Sequence, residues 1–372
     1  MIFSDAVRGT PECAAGRYFG CAPKDAINLS IGEPLFPPPE SVVSAYAEAG
    51  GSGAHRYAPI QGYADLREAL AEKLKTENGI QASPEEIIIT NGATEAIGLS
   101  IMSLVGRGDE VVVFEPNYPI VSPMVIYCGG RPVTIPLKEK DGFQIDTETL
   151  KEKVSGRTKL VVINSPHNPT GTVLKKETMR ALSEICNAPI ISDEVYEKFV
   201  FEGEHHSLSS VSENPGRVIT VNSFSKSYCM CGYRVGYLHG PRELISQMTK
   251  LKLYLSNCCP APSQRAALAA LHEKGFPDSI RNEVGKSREA LVIGLKRLGI
   301  SFTEPVGAFY AFPDVSRFGG GDEFYRMLLK AGVIAMPGCI FGKSHSGHIR
   351  FSFACRSEDV KECFRRIGDW RK

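Results

Sequence analysis

Six short, almost unbroken apolar runs divide the middle of the chain, and each ends in polar residues. They are EEIIIT (85–90), DEVVVFEP (109–116), RPVTIPL (131–137), KLVVINSP (159–166), APIISDEVY (188–196) and RVITVNSF (217–224). Their length and β-branched content read as strands, and continuous apolar character predicts burial on both faces, as in a parallel sheet. Helical patterns lie between them. TEAIGLSIMSLVG places Ile97, Ile101, Leu104 and Val105 at helical spacing, and KETMRALSEICN (176–187) supplies a crossover helix. The predicted fold class is α/β: a large domain with a mostly parallel sheet covered by helices on both faces, plus a smaller α+β domain built from both chain ends. A length of 372 residues suits two such units. Composition and element order place the large domain at 41–265 and the discontinuous small domain at 1–40 and 266–372. PLFPPPE (34–40) reads as a rigid connector.

Charge excludes some partners. There are 43 Lys and Arg against 42 Asp and Glu, a net charge of +1, and no basic run, so nucleic acid is not expected as the main partner. No apolar segment approaches a membrane span, so no membrane partner is expected either. The N-terminal MIFSDAVRGTPECAAGRYFG lacks the apolar core of a signal peptide, and a cytoplasmic location is expected. Eleven cysteines, odd in number and scattered, read as free thiols packed as small apolar groups, not as a disulfide framework. Cys229/Cys231 and Cys258/Cys259 do not have zinc-knuckle spacing, and no metal centre is expected.

The polar strand ends carry the chemistry. TNGATEA (90–96) puts Gly92, Ala93 and Thr94 between a strand and a helix, where small residues let backbone N–H groups close on an anion. Taken alone, an ordinary tight strand-to-helix turn is the better explanation. In FEPNYPI (114–120), Tyr118 can stack on a flat ring or serve as a structural tyrosine. In INSPHNPTG (163–171), the Asn168 amide can donate to an oxygen, or the segment is a proline-rich turn. In ISDEVYEKF (191–199), Asp193 follows an apolar run. If buried it needs a cationic partner or strong donors, and if solvated it only ends the strand. Ser223, Ser225 and Arg234 of SFSKSYCMCGYRVGY (223–237) can hold a phosphate. A desolvated Lys226 beside other cations favours the neutral amine that attacks carbonyls. Phosphate cradle, ring stacker, donor to a ring oxygen, acid and lysine are together what pyridoxal 5'-phosphate requires.

In this order the sequence also carries LSIGEPLFPPP (29–39), RYAPIQGYADLREAL (56–70), GAFYAFP (307–313), PGCIFG (337–342) and IRFSFA (349–354). With these motifs nearly the whole chain resembles the fold-type I pyridoxal-phosphate aminotransferases of class I/II, the aspartate aminotransferase-like group. The resemblance implies a catalytic set of Lys226, Asp193 and Tyr118. Lys226 carries the cofactor aldehyde and later shuttles the proton between Cα and C4′. Asp193 keeps the pyridine nitrogen protonated, and Tyr118 stacks on the ring. Asn168 and Tyr196 contact the ring oxygen. Ala93, Thr94, Ser223, Ser225 and Arg234 form the phosphate cradle, and Tyr57 reaches the phosphate of a neighbouring subunit, which implies a homodimer with shared sites. Arg350, Gly32 and Asn168 hold the substrate, Arg350 by its α-carboxylate.

The implied activity is a ping-pong transfer of an amino group from an L-amino acid to a 2-oxo acid. Aspartate, aromatic amino acids and alanine stand as donors, with 2-oxoglutarate as acceptor and Arg56 or Arg265 as candidate partners for a second carboxylate. A C–S lyase of the same family is the alternative reading, and a non-catalytic ligand-sensing domain the remote one. The chain departs from many relatives at Glu95, where they carry Gln, and at Thr94, where some aspartate-preferring ones carry Lys. Cys258, Cys259 and Arg265 are further departures. A helix-start salt bridge is the preferred reading of Arg265.

Overall fold

The computed structural model describes residues 3–12, 18, 25–51 and 53–370. The strands in chain order are β1 (Ile27–Asn28), β2 (Ile87–Thr90), β3 (Glu110–Glu115), β4 (Arg131–Pro136), β5 (Thr158–Asn164), β6 (Ile190–Asp193), β7 (Val218–Ser223), β8 (Gly236–His239), β9 (Tyr310–Ala311), β10 (Val333–Ile334), β11 (Met336–Pro337) and β12 (Ile349–Ser352). Seven of them form one sheet in the order β2-β8-β7-β6-β5-β3-β4. All six apolar runs of the sequence are in it, and they share one direction. The seventh strand, β8, runs antiparallel to both β2 and β7. Its four residues, GYLH, are too short and too mixed to register as a separate apolar run.

Alternate residues of these strands feed two cores. Val111, Val113, Leu160, Val162, Ile191, Ile219 and Val221 face one side, where they meet Ile97 and Ile101 of the helix Ala93–Leu104. Val112, Phe114, Val161, Ile163, Ile190 and Val218 face the other, against Met179 and Leu182 of the helix Lys176–Ile185. Each fully buried side chain of this kind contributes about 1.5–3 kcal/mol. A sheet covered on both faces explains why its central strands are mostly apolar; β4, at the edge, buries only Ile135.

A third core lies under the smaller sheets. A three-stranded antiparallel sheet, β11-β12-β9, lies beside the parallel pair β1–β10. Leu29 near the chain start joins Leu291, Phe309, Phe324, Val333, Phe351 and Val360 there. This core therefore draws on both chain ends. The helix Ala261–His272 spans position 265 and packs through Ala266, Ala267 and Ala270 against Val42, Leu66 and Leu70.

In the large sheet, β3 leads to β4 on one side, while β5, β6 and β7 continue to the other. The chain reverses its direction of build between β3 and β5. In open α/β sheets ligands bind outside the carboxyl ends of strands at such a switch point. The segments that leave β2, β3, β5, β6 and β7 at that edge begin with Asn91, Pro116, Ser165, Glu194 and Phe224.

Candidate active site

A cavity of about 430 Å³ opens at this edge. Gly32, Ala93, Thr94, Tyr118, Asn168, Asp193, Tyr196, Ser223, Ser225, Lys226, Arg234 and Arg350 all line it. Of the expected residues, Tyr57 stands apart, 86 % exposed on the surface of this chain.

The floor is built by strand ends. Asp193 closes β6 and is buried. Its Oδ1 accepts from the Val195 N–H at 3.3 Å. Burial is the main cause that pushes its carboxyl up to about 7, with Glu194 adding to the rise and Lys226 opposing it. Next to it, Asn164 Nδ2 at the end of β5 donates to the Asp193 carbonyl at 2.9 Å. Asn164 Oδ1 accepts from the Asn168 N–H at 2.7 Å. Asn164 thereby fixes the spacing of both neighbours, a part that the sequence motif did not reveal.

Lys226 lies in the short helix Phe224–Ser227 directly after β7, with Ser223 as N-cap. Its Nζ donates to the Gly32 carbonyl, and Cys231 Sγ lies 3.9 Å away. Burial depresses its proton affinity most. Arg350 and Arg234 act in the same direction, while Cys231 and Glu33 oppose them. Among the described residues two other lysines are buried, Lys73 and Lys252. Each is paired with a carboxylate, Glu197 and Glu95 respectively. Lys226 is bonded instead to a carbonyl.

One end of the cavity is shaped for an anion. The helix Ala93–Leu104 starts here, and the N–H groups of its first turn have no intrahelical acceptor. The Ser223 and Ser225 hydroxyls lie 2.9 Å apart. Arg234 takes the left-handed conformation, φ 53°, uncommon for a residue with a side chain. Its guanidinium is held by the carbonyls of Cys231 at 2.9 Å and Asn91 at 3.2 Å. Gly92 has φ +76°, and a Cβ there would stand 2.5 Å from Arg234 Nη2. A Cβ on Gly236 would meet the Asn222 carbonyl at 2.9 Å and Ala93 N at 3.0 Å. Both glycines are required for this close approach.

The opposite end is anchored by Arg350 on β12. Its Nη1 donates to Asn168 Oδ1 at 2.9 Å and its Nη2 to the Ser30 carbonyl. The guanidinium lies between the rings of Tyr310 and Phe341, 4.4 and 4.6 Å from their centroids. Its Nε is buried with no hydrogen-bond partner. Thr94 Oγ1 lies 3.3 Å from the Tyr118 hydroxyl on the wall.

Arg265 is tied to Asp65 and stacks 3.9 Å over Tyr63, as a helix-start salt bridge. Arg56 is exposed. Neither lines the cavity. Glu95 accepts from the Asn91 N–H at 2.6 Å and pairs with Lys252, so it fixes the start of the helix from outside the cavity. Nine cysteines among the described residues are free thiols. Cys13 and Cys21 lie outside the described residues. No helix among the described residues is long and apolar enough to cross a membrane.

Sheet edge, enclosed amine, buried acid and anion cradle define a pyridoxal-phosphate enzyme of the α/β type. The model of aminotransferase class I and II matches residues 24–367, and the chain belongs to that family. It is 38% identical to the probable aspartate aminotransferase of Methanocaldococcus jannaschii, over 97% of each chain. It is 34% identical to aromatic-amino-acid aminotransferase 2 of Thermococcus litoralis, over 92% of this chain and 90% of the other. The structure of Thermus thermophilus aspartate aminotransferase with maleate superposes with a TM-score of 0.93, at 34% identity and full coverage of both chains. The chain is an aminotransferase, and enzymes of this family use pyridoxal 5'-phosphate.

The cavity fits that cofactor on its own evidence. A carboxyl as deeply buried as Asp193 is stabilised as an anion only by a proton-bearing partner, which a pyridinium nitrogen supplies. The space held open by Gly92 and Gly236 beside Arg234 suits a phosphate.

Proposed function

We propose that Lys226 carries the cofactor aldehyde, that Asp193 holds the ring-nitrogen proton and that Arg350 grips the substrate α-carboxylate. The observation that supports this most is the convergence of an amine without a carboxylate partner, a buried acid and a buried guanidinium on one cavity. Ala93, Thr94, Ser223, Ser225 and Arg234 are assigned to the phosphate, Tyr118 to the ring face, and Asn168 and Tyr196 to the ring oxygen. Gly32 and Asn168 complete the carboxylate site with Arg350.

Pyridoxal phosphate supplies, when bound, a carbonyl for amine exchange and a ring that accepts the electron pair left at the substrate Cα. The protein supplies the rest. Lys226 Nζ, with its proton affinity lowered by burial, would take the Cα proton and deliver it on the far side of the substrate nitrogen, two atoms from Cα. Asp193 stays anionic once paired and holds the opposing proton in place. Arg350 fixes the carboxylate in a two-point grip, which orients the Cα–H bond toward Lys226.

In this reading the chain moves an amino group from an L-amino acid to a 2-oxo acid, with aspartate, an aromatic amino acid or alanine as donor and 2-oxoglutarate as acceptor. The wall formed by Ile31, Ile120, Met336, Ile340 and Phe341 favours an aromatic donor among the three. The chain acts as a cytoplasmic homodimer, with Tyr57 of each copy completing the other's phosphate site. The high exposure of an aromatic side chain at 57 supports that assignment. Residues 41–265 form the cofactor domain, and 1–40 with 266–372 the domain that carries Arg350.

A half-reaction panel tests this. Single amino acids are added to cofactor-loaded protein without an acceptor, and the cofactor absorbance is followed. Conversion with release of the matching 2-oxo acid is expected, fastest for phenylalanine or tyrosine. Ammonia and pyruvate from a sulfur amino acid, with no such conversion, would replace the reading with that of a lyase.

A further inference from the structure

Tyr310, in the motif GAFYAFP, has no part in the assignments above. It is 1 % exposed. Its hydroxyl lies 2.8 Å from that of Tyr196, and the two rings meet edge to face at 5.6 Å. Its ring face lies 4.4 Å from the Arg350 guanidinium. A Cβ on Gly32 would stand 2.0 Å from its hydroxyl. One side chain therefore touches the residue assigned to the ring oxygen, the carboxylate anchor and the segment whose carbonyl receives Lys226.

A hydroxyl pair shares one proton in its bond and leaves the other free. The direction follows from the assignment of Tyr196 to the ring oxygen. A Tyr196 proton given to that oxygen leaves only the lone pairs of its hydroxyl for the 2.8 Å contact, so Tyr310 is the donor there.

We propose that Tyr310 is a positioning residue: its hydroxyl donates to Tyr196 Oη, which directs the Tyr196 proton at the ring oxygen of the bound cofactor, while its ring face holds Arg350 for the substrate carboxylate. The inference rests on the assignment of Tyr196 to that oxygen. A donor chain of two hydroxyls is stronger than either bond alone. The device separates by chemistry, because the hydroxyl serves the cofactor and the ring serves the substrate.

The test is a pH titration of the cofactor absorbance in the loaded enzyme, with Tyr196→Phe, Tyr310→Phe, the double variant and Tyr310→Leu. A donor at the ring oxygen draws electrons from it and weakens the hold of the neighbouring nitrogen on its proton. Loss of the donor raises the midpoint of proton loss. Tyr196→Phe raises it most. Tyr310→Phe raises it by a few tenths of a unit, with the KM of the amino acid unchanged, and the double variant matches Tyr196→Phe because the two act in series. Tyr310→Leu adds a rise in KM. If Tyr196→Phe raises the midpoint and Tyr310→Phe leaves it at the wild-type value, the Tyr310 inference is overturned alone. If Tyr196→Phe itself leaves it unmoved, the assignment of Tyr196 fails, and the inference with it.

Discussion

Arg350 Nη1 donates to Asn168 Oδ1 at 2.9 Å, so the smaller sheet is bonded directly to the loop that follows β5. Both residues are buried. The Asn168 oxygen keeps one further lone pair, and its amide N–H groups remain to donate to another acceptor. The same bond sets the distance between the proposed substrate anchor and the proposed ring-oxygen site.

Arg350→Lys replaces a planar fork with a point charge that cannot keep the Asn168 and Ser30 bonds and also grip a carboxylate. A loss of about 2–4 kcal/mol, roughly 30- to 1000-fold in kcat/KM, is expected. Half-reaction kinetics over a range of amino acid concentrations measure it, and the cofactor absorbance stays as in the wild type.

Asp193 gives the cofactor-free protein a pH dependence. Its folded value, about 7, lies above the ordinary carboxylate range. The native state therefore binds more protons than the unfolded chain between about pH 4 and 7. The contribution is fully present below pH 4 and is lost as pH rises through 7, by at most about 4 kcal/mol. Denaturant melts of the cofactor-free protein across this window will show the slope, and Asp193→Asn will flatten it.

Gly32→Ala puts a Cβ 2.0 Å from the Tyr310 hydroxyl and 3.0 Å from its ring carbon Cζ. Overpacking of this kind costs about 1–3 kcal/mol. Addition of Tyr310→Phe removes the nearer atom and should restore part of the loss. At Gly9 nothing lies within 4 Å of a Cβ, so Gly9→Ala serves as the control for the thermal melts.

Glu95→Gln leaves the fully buried Lys252 without its carboxylate. Removal of one partner of a buried pair costs about 3–5 kcal/mol; because Glu95 is partly exposed, the lower end is expected. The Ser256 hydroxyl, 3.1 Å from Lys252 Nζ, softens the loss but does not neutralise the charge. Adding Lys252→Met should recover much of it. Thermal melts of the single and double variants decide this.

Five of the six strands were legible because a sheet covered on both faces favours apolar residues along each strand, a pattern that survives in short windows; β4, the edge strand, was read the same way although only Ile135 of it is buried. The polar residues at their ends were legible as motifs because each stands directly after such a run. β8 was not, since four residues with a glycine and a histidine carry no period. Tyr310 was missed for another reason. Its place at the cavity comes from tertiary contacts between distant segments, such as Gly32 with Tyr310, and no local spacing encodes that. Glu95 looked like a helix cap, and its pairing with Lys252 across 157 positions appears only in the fold.

The account depends above all on Lys226 as the lysine that carries the cofactor. Borohydride reduction of the loaded enzyme, followed by digestion and mass spectrometry, locates the attachment directly. The account predicts the pyridoxyl group on the peptide containing Lys226, and its loss from that peptide in Lys226→Ala. Attachment in the wild-type enzyme to another lysine, such as the buried Lys73 or Lys252, would contradict it.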